Sequence, residues 1–212
     1  MKNGIIFDMD GTLWDSAENV AISWEEEVKK GAGGFRRVTT EDVQNVMGRT
    51  MVEISEILFG ELGQEKALAL MERCCDAENE YLRKHGGILY PNLEKTLQIL
   101  AEKYPLYIVS NCQKGYIEAF LEYYKFDKYF LDIECFGNTR MCKGDNIALV
   151  AKRNHLDKAI YVGDIQADYE ASVRAGVDFI HASYGFGKID HEVPYIREFA
   201  ELPGVVSKVF GE

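Results

Sequence analysis

Residues 4–16 read GIIFDMDGTLWDS, and in them Asp8 and Asp10 stand two positions apart at the end of an apolar run. Charge set against buried chain is costly, and like charges side by side raise the cost, so the pair needs a chemical reason. On an extended chain both carboxylates project to one side while Met9 turns away. One of them can attack phosphorus while its neighbour handles the proton on the attacking or leaving oxygen. Other polar residues end later apolar runs: Ser110-Asn111 the second, and Gly163-Asp164-x-x-x-Asp168 the fourth. Lys143 lies ahead of the helix that leads into that fourth run. Several carboxylates gathered together call for a cation, and hard oxygen donors suit Mg²⁺. Such an ion also offsets repulsion between an anionic nucleophile and an anionic phosphate. Ser110 and Asn111 can hydrogen-bond phosphoryl oxygens, and Lys143 can neutralise charge growing on them. Singly, each residue has a plainer reading: Asp164 as a helix cap, Lys143 as a solvated lysine, Ser110-Asn111 as a strand-ending turn. Their joint order along the chain favours the chemical reading.

The elements that must position these residues are legible as patterns. Gly4–Asp8, Leu106–Ser110, Tyr129–Cys135, Ala159–Gly163 and Phe179–Ala182 are short, nearly continuous apolar runs, as expected for parallel strands covered on both faces. Helical stripes separate the last four, over Tyr116–Tyr124, Asn146–Arg153 and Ala167–Ala175, with Gly176 as a stop. Strand alternating with helix predicts a Rossmann-like α/β parallel sheet, and ligands of such sheets bind at the carboxyl ends of the strands. From Asp15 to about Tyr90 the rhythm breaks into helices over Ser16–Lys30, Thr40–Met47, Val52–Phe59 and Glu65–Lys84. Glycine-rich joints separate them, including Gly31-Ala32-Gly33-Gly34 and Gly48. A helix then starts at Pro91-Asn92 and leads back to the sheet. The expected organisation is a core of residues 1–14 and 91–212 with an inserted helical cap of residues 15–90.

DMDGT, the strand ending in Ser110-Asn111, Lys143 and GDIQAD resemble, in order, the four motifs of the haloacid dehalogenase-like superfamily. The layout resembles its phosphoglycolate phosphatase and β-phosphoglucomutase branch, which carries a helical cap after the first motif. The resemblance implies Asp8 as nucleophile forming an aspartyl-phosphate and Asp10 as general acid/base. It further implies Mg²⁺ held by Asp8, the Asp10 main-chain carbonyl and Asp164, with Asp168 in an outer role, and phosphate held by Ser110, Asn111 and Lys143. Gly48-Arg49-Thr50 resembles the specificity loop of these relatives, so Arg49 is the expected clamp for an anionic group of the substrate. Tyr184-Gly185-Phe186-Gly187 offers a second loop near the site, and Trp14 is expected to shape its entrance. Lys143 is followed by Gly144-Asp145 rather than the Pro-x-Pro common in the family. Gly163 before Asp164 resembles the phosphatases, whereas the mutases usually carry Glu-Asp there. Hydrolysis of a small phosphorylated metabolite is therefore the expected activity. A β-phosphoglucomutase-like mutase and a non-catalytic ligand-binding protein are the alternatives.

Composition limits the partners. A formal charge of −11 over 212 residues argues against a non-specific nucleic-acid or anionic-membrane binder. Five cysteines without a CxxC pair, and no apolar run long enough for a signal peptide or a membrane span, predict a reduced, cytoplasmic protein. Monomer is the default expectation. The four histidines are scattered and lack ligand spacing.

Overall fold

The computed structural model describes residues 2–31 and 34–212. Met1 lies outside the described residues, as do Ala32 and Gly33 of the expected glycine-rich joint. The chain runs through β1 (Asn3–Phe7), β2 (Trp14–Asp15), α1 (Ala17–Gly31), α2 (Thr40–Val46), α3 (Met51–Phe59) and α4 (Gln64–His85). It continues through β3 (Ile88–Leu89), α5 (Leu93–Ala101), β4 (Leu106–Ser110), α6 (Tyr116–Tyr124), β5 (Phe130–Cys135), α7 (Phe136–Thr139) and α8 (Lys143–Arg153). The last elements are β6 (Lys158–Gly163), α9 (Gln166–Ala175), β7 (Asp178–Ala182), β8 (Tyr195–Ile196) and α10 (Leu202–Phe210).

Two units emerge. The first holds Met1–Asp15, Leu89–Ser110 and Asp127–Glu212. It is built on a six-stranded sheet of order β5-β4-β1-β6-β7-β8, parallel at every pairing. The chain fills one side of β1, then crosses to fill the other, so β1 lies at the switch of winding direction where such sheets open a crevice. Alternation along each strand covers both faces. Ile6, Tyr107, Val109, Tyr161 and Phe179 pack with Ile147 and Val150 of α8 and Ala171 of α9. Phe7 points to the other face, its ring 6.0 Å from Phe199 and 6.2 Å from Phe130. The outer strand β5 is fastened from α8: Arg153 donates to both carboxylate oxygens of Asp132, to Glu134 and to the Ile133 carbonyl.

The second unit holds Ser16–Ile88 and Asn111–Phe126. Thr39 and Thr50 start α2 and α3 through reciprocal capping boxes with Asp42 and Glu53. Gly86, at φ 66°, ends α4 by donating its N–H to the Leu82 carbonyl. Val20, Trp24 and Val28 of α1 are buried, as are Leu70, Met71, Cys74 and Leu82 of α4. Trp24 Nε1 donates to Glu78 Oε2 across 2.8 Å within this interior. The segment Asn111–Phe126 groups with these helices rather than with residues 91–212, where the sequence reading put it. The reason is a set of direct bonds. Asn79 donates to the Lys114 carbonyl, Arg83 pairs with Glu122, and the Tyr124 hydroxyl donates to the Gly87 carbonyl.

Most elements lie within a residue or two of the expected bounds. Helix α8 begins at Lys143 rather than Asn146, and β2, β3, α7, β8 and α10 have no counterpart among the expected elements. Trp14 is fully buried. The five cysteines are free thiols, four of them buried. No helix among the described residues is long and apolar enough to cross a membrane. Ile147 is wholly buried between α8 and the sheet, so Ile147→Ala should cost about 2–5 kcal/mol. Urea unfolding would show this as a lower midpoint at unchanged slope.

Candidate functional site

Asp8 follows directly on β1, the central strand, and is buried to 2% exposure. Asp164 follows directly on β6, which pairs with β1 so that Phe7 stands opposite Val162. The two carboxylates therefore leave neighbouring strands at the same end of the sheet. Asp168 is the third residue of α9 and reaches back to accept the N–H groups of Asp164 and Ile165 at 3.0 and 3.2 Å. Asp164 is thus not the cap of α9. Ile165 holds the cap position, and Asp168 satisfies the free N–H groups from inside the first turn. Oxygens of Asp8, Asp164 and Asp168 lie within 4.8 Å of one another, and all three residues are buried.

Lys143 opens α8 and is buried among them. Its Nζ donates to Asp168 Oδ1 at 2.7 Å and stands 3.1 Å from Asp8 Oδ1. The second approach is a charge contact, because Asp8 Oδ1 has no hydrogen bond of good geometry. A cation in the first turn of a helix opposes the helix dipole. Burial also works to loosen the ammonium's proton, but Asp168 and Asp8 together outweigh it and hold that proton more tightly than usual. Burial pushes the Asp8 carboxyl from 3.8 up to about 7, with Lys143 opposing and Asp168 adding to the shift. Burial likewise raises Asp164, helped by the charges of Asp168 and Asp8.

Close packing leaves little room around Asp164. Gly11 has φ +79°, and a Cβ there would collide with the Asp164 carboxylate. Phe186 N–H donates to Asp164 Oδ2 at 2.7 Å, and the His181 Nε2–H donates to the Asp164 carbonyl at 3.1 Å. The Tyr184 hydroxyl donates to the Thr12 carbonyl at 2.7 Å. The sequence reading noted the Tyr184 loop but not these bonds, and it saw no ligand spacing at His181, whose bond here is to a main-chain carbonyl. Nothing in local spacing marks them.

The remaining candidates are distributed as follows. Asp10 sits in the turn after β1, partly buried and bridged to Trp14, and its charge reaches the Tyr90 hydroxyl together with those of Asp15 and Asp164. Ser110 is buried at the end of β4, on the other side of β1 from β6. Asn111 belongs to the second unit, where its amide donates to the Gly48 carbonyl at 2.8 Å and its Oδ1 is buried without a partner. The sequence reading has Asn111 assist in holding phosphate through its main chain or its side chain, and this bond engages the side-chain nitrogen. Arg49, next to Gly48, is exposed, one residue before the capping box of α3.

The donor set fits a divalent cation. Fully ionised, the three buried carboxylates would exceed the one buried ammonium by two negative charges, and Asp8 Oδ1 makes no hydrogen bond of good geometry. All the donors are oxygens, as hard cations require. Asp8 and Asp164 would hold the ion directly. Asp168, with both oxygens already accepting hydrogen bonds, would orient Lys143 and the Asp164 backbone.

Comparison with known proteins agrees with this architecture. Residues 5–182 match the family described as haloacid dehalogenase-like hydrolase. A phosphoglycolate phosphatase from Aquifex aeolicus is 28% identical over 199 residues, covering 90% of this chain and 89% of that protein. One from Rhodobacter capsulatus is 24% identical over 217 residues, covering 97% of each. The solved structure of a haloacid dehalogenase-like family hydrolase from Streptococcus pneumoniae superposes with TM-score 0.82 at 19% identity, covering 97% of this chain and 98% of that one. At that identity the likeness shows the shared fold.

Two predictions follow from the charge arrangement. Lys143→Met strips the ammonium from its buried partners and should destabilise the metal-free protein by about 3–5 kcal/mol in urea unfolding. The folded-state value of Asp8, about 7, lies above its ordinary 3.8. Its protonated form therefore favours the fold at acid pH, and that contribution is lost as pH rises towards 7. In chelator, the stability of Asp8→Asn relative to wild type should accordingly grow from about pH 4 to about pH 7.

Proposed function

As the chain belongs to the haloacid dehalogenase-like hydrolases, we propose that it is a Mg²⁺-dependent phosphatase of a small phosphorylated metabolite. Phosphoglycolate is the first substrate to test, because curated relatives spanning most of the chain carry that name. The observation that carries the reading is the buried cluster of Asp8, Asp164 and Asp168 around Lys143, whose excess negative charge matches one divalent ion. Gly163 ahead of Asp164 favours hydrolysis over mutase chemistry, as in the phosphatases of the superfamily.

When bound, Mg²⁺ would supply positive charge that keeps Asp8 ionised and draws in the anionic phosphate. Asp8 attacks phosphorus, the bond to the ester oxygen breaks, and Asp10 gives its proton to the departing oxygen. The product of that step is an aspartyl-phosphate on Asp8. Asp10 then takes a proton from water, the water oxygen bonds to phosphorus, and the bond to Asp8 breaks to release inorganic phosphate. Lys143 and the Ser110 hydroxyl stabilise charge on the phosphoryl oxygens. Asn111 holds the Gly48 carbonyl, so its part is to fix the loop bearing Arg49. Arg49 would take an anionic group at the far end of the substrate, such as a carboxylate.

A phosphate-release assay tests the proposal. Wild type with Mg²⁺ should release phosphate from phosphoglycolate, and chelation should stop it. Asp8→Asn should abolish turnover, and Asp10→Asn should lower it by about 10²–10⁴-fold. Full activity of Asp8→Asn, or undiminished release in chelator, would refute the mechanism.

A further inference from the structure

The turn after β7 meets the acidic cluster from two directions. It is pinned at its start, where the N–H and hydroxyl of Ser183 both donate to the Ile196 carbonyl, and at its far end, where the Asp190 N–H donates to Gln166 Oε1. Between the pins, the Tyr184 hydroxyl reaches the Thr12 carbonyl and the Phe186 N–H reaches Asp164 Oδ2, each across 2.7 Å. Gly185 lies between them with its backbone against both halves of the site. A Cβ there would strike the Asp164 side chain and the Gly11 carbonyl. The Tyr90 ring packs on Tyr184 with centroids 4.5 Å apart, which fixes the direction of the hydroxyl.

We propose that Tyr184 is a positioning residue: its hydroxyl ties the turn to the loop after β1, and the turn in that place sets the carboxylate of Asp164 for the cation. The physical need is plain. Asp8 and Asp164 repel each other, and only a constraint from outside the pair keeps their oxygens at ligand spacing before an ion arrives. Tyr184 ties the turn to the loop that follows Asp8, since Thr12 is four residues beyond Asp8, and Phe186, two residues beyond Tyr184, holds Asp164 directly. Outer hydrogen bonds of this kind commonly govern metal affinity by 10–100-fold. The inference rests on the Mg²⁺-dependent reading above.

The test is Mg²⁺ binding by isothermal titration calorimetry on wild type, Tyr184→Phe and, as a control, Ser183→Ala. Ser183 pins the same turn through the Ile196 carbonyl. Wild type and Ser183→Ala should bind Mg²⁺ alike, and Tyr184→Phe about tenfold or more weakly. Equal affinity in Tyr184→Phe, with only a lower metal-free melting temperature, would make the hydroxyl merely structural and overturn the proposal. No binding to wild type would instead overturn the metal-dependent reading beneath it. Amide exchange in wild type gives a second measurement that needs no variant. Mg²⁺ should slow exchange of the Phe186 N–H, and an exchange rate indifferent to Mg²⁺ would count against the strap.

Discussion

Buried negative charge in excess of buried positive charge is the constraint on which this protein turns. Asp8, Asp164 and Asp168 come within ligand spacing of one another, and Lys143 answers only part of their charge. A domain interior does not tolerate such an arrangement without compensation. Burial, together with the charge of Asp168, raises the carboxyls of both Asp8 and Asp164. The same imbalance makes the site receptive to a hard divalent ion, so the structural cost and the proposed chemistry have one origin.

The sheet topology delivers those charges without long loops. β1 lies between β4 and β6, and Asp8 and Asp164, which follow directly on the adjacent strands β1 and β6, meet at one edge. Helices α8 and α9 then contribute from their first turns, with Lys143 at the first position of one and Asp168 at the third of the other. Two of the four groups therefore depend on where a helix begins. Gly144 permits that start, because a Cβ there would press on the Ala171 carbonyl and on Arg174 of α9. A bulkier residue would push apart the helices whose first turns hold Lys143 to Asp168.

Much of this was readable before folding. Asp8, Asp164 and Asp168 stand out because polar residues ending apolar runs are conspicuous, and parallel strands put such endings at one edge. What escaped notice lacked a local signal. Lys143-Gly144-Asp145 has no apolar residue and contains glycine, so the helix seemed to start at Asn146, although tertiary packing extends it backwards. β8 is two residues long, too short for any period to appear. Helix α10 is different: Leu202, Val206 and Phe210 recur at helical spacing behind Pro203, and that signal was there to be read. The grouping of Asn111–Phe126 with the helical unit was hidden for another reason. The apolar stripe of Ile117 and Phe120 looks the same whichever neighbour it packs on, and only the bonds to Asn79, Arg83 and Gly87 decide.

The Arg153 clamp on β5 bears on a hazard that every open sheet faces. An outermost strand presents unpaired N–H and C=O groups to any passing chain, and β5 also exposes Leu131. Here the guanidinium occupies the Ile133 carbonyl and pairs with Asp132 and Glu134, so an incoming strand would have to strip an ion pair before it could pair at all. At the opposite border β8 is too brief to serve as a template. The two ends of the sheet thus resist edge-to-edge aggregation by different means, charge at one and shortness at the other.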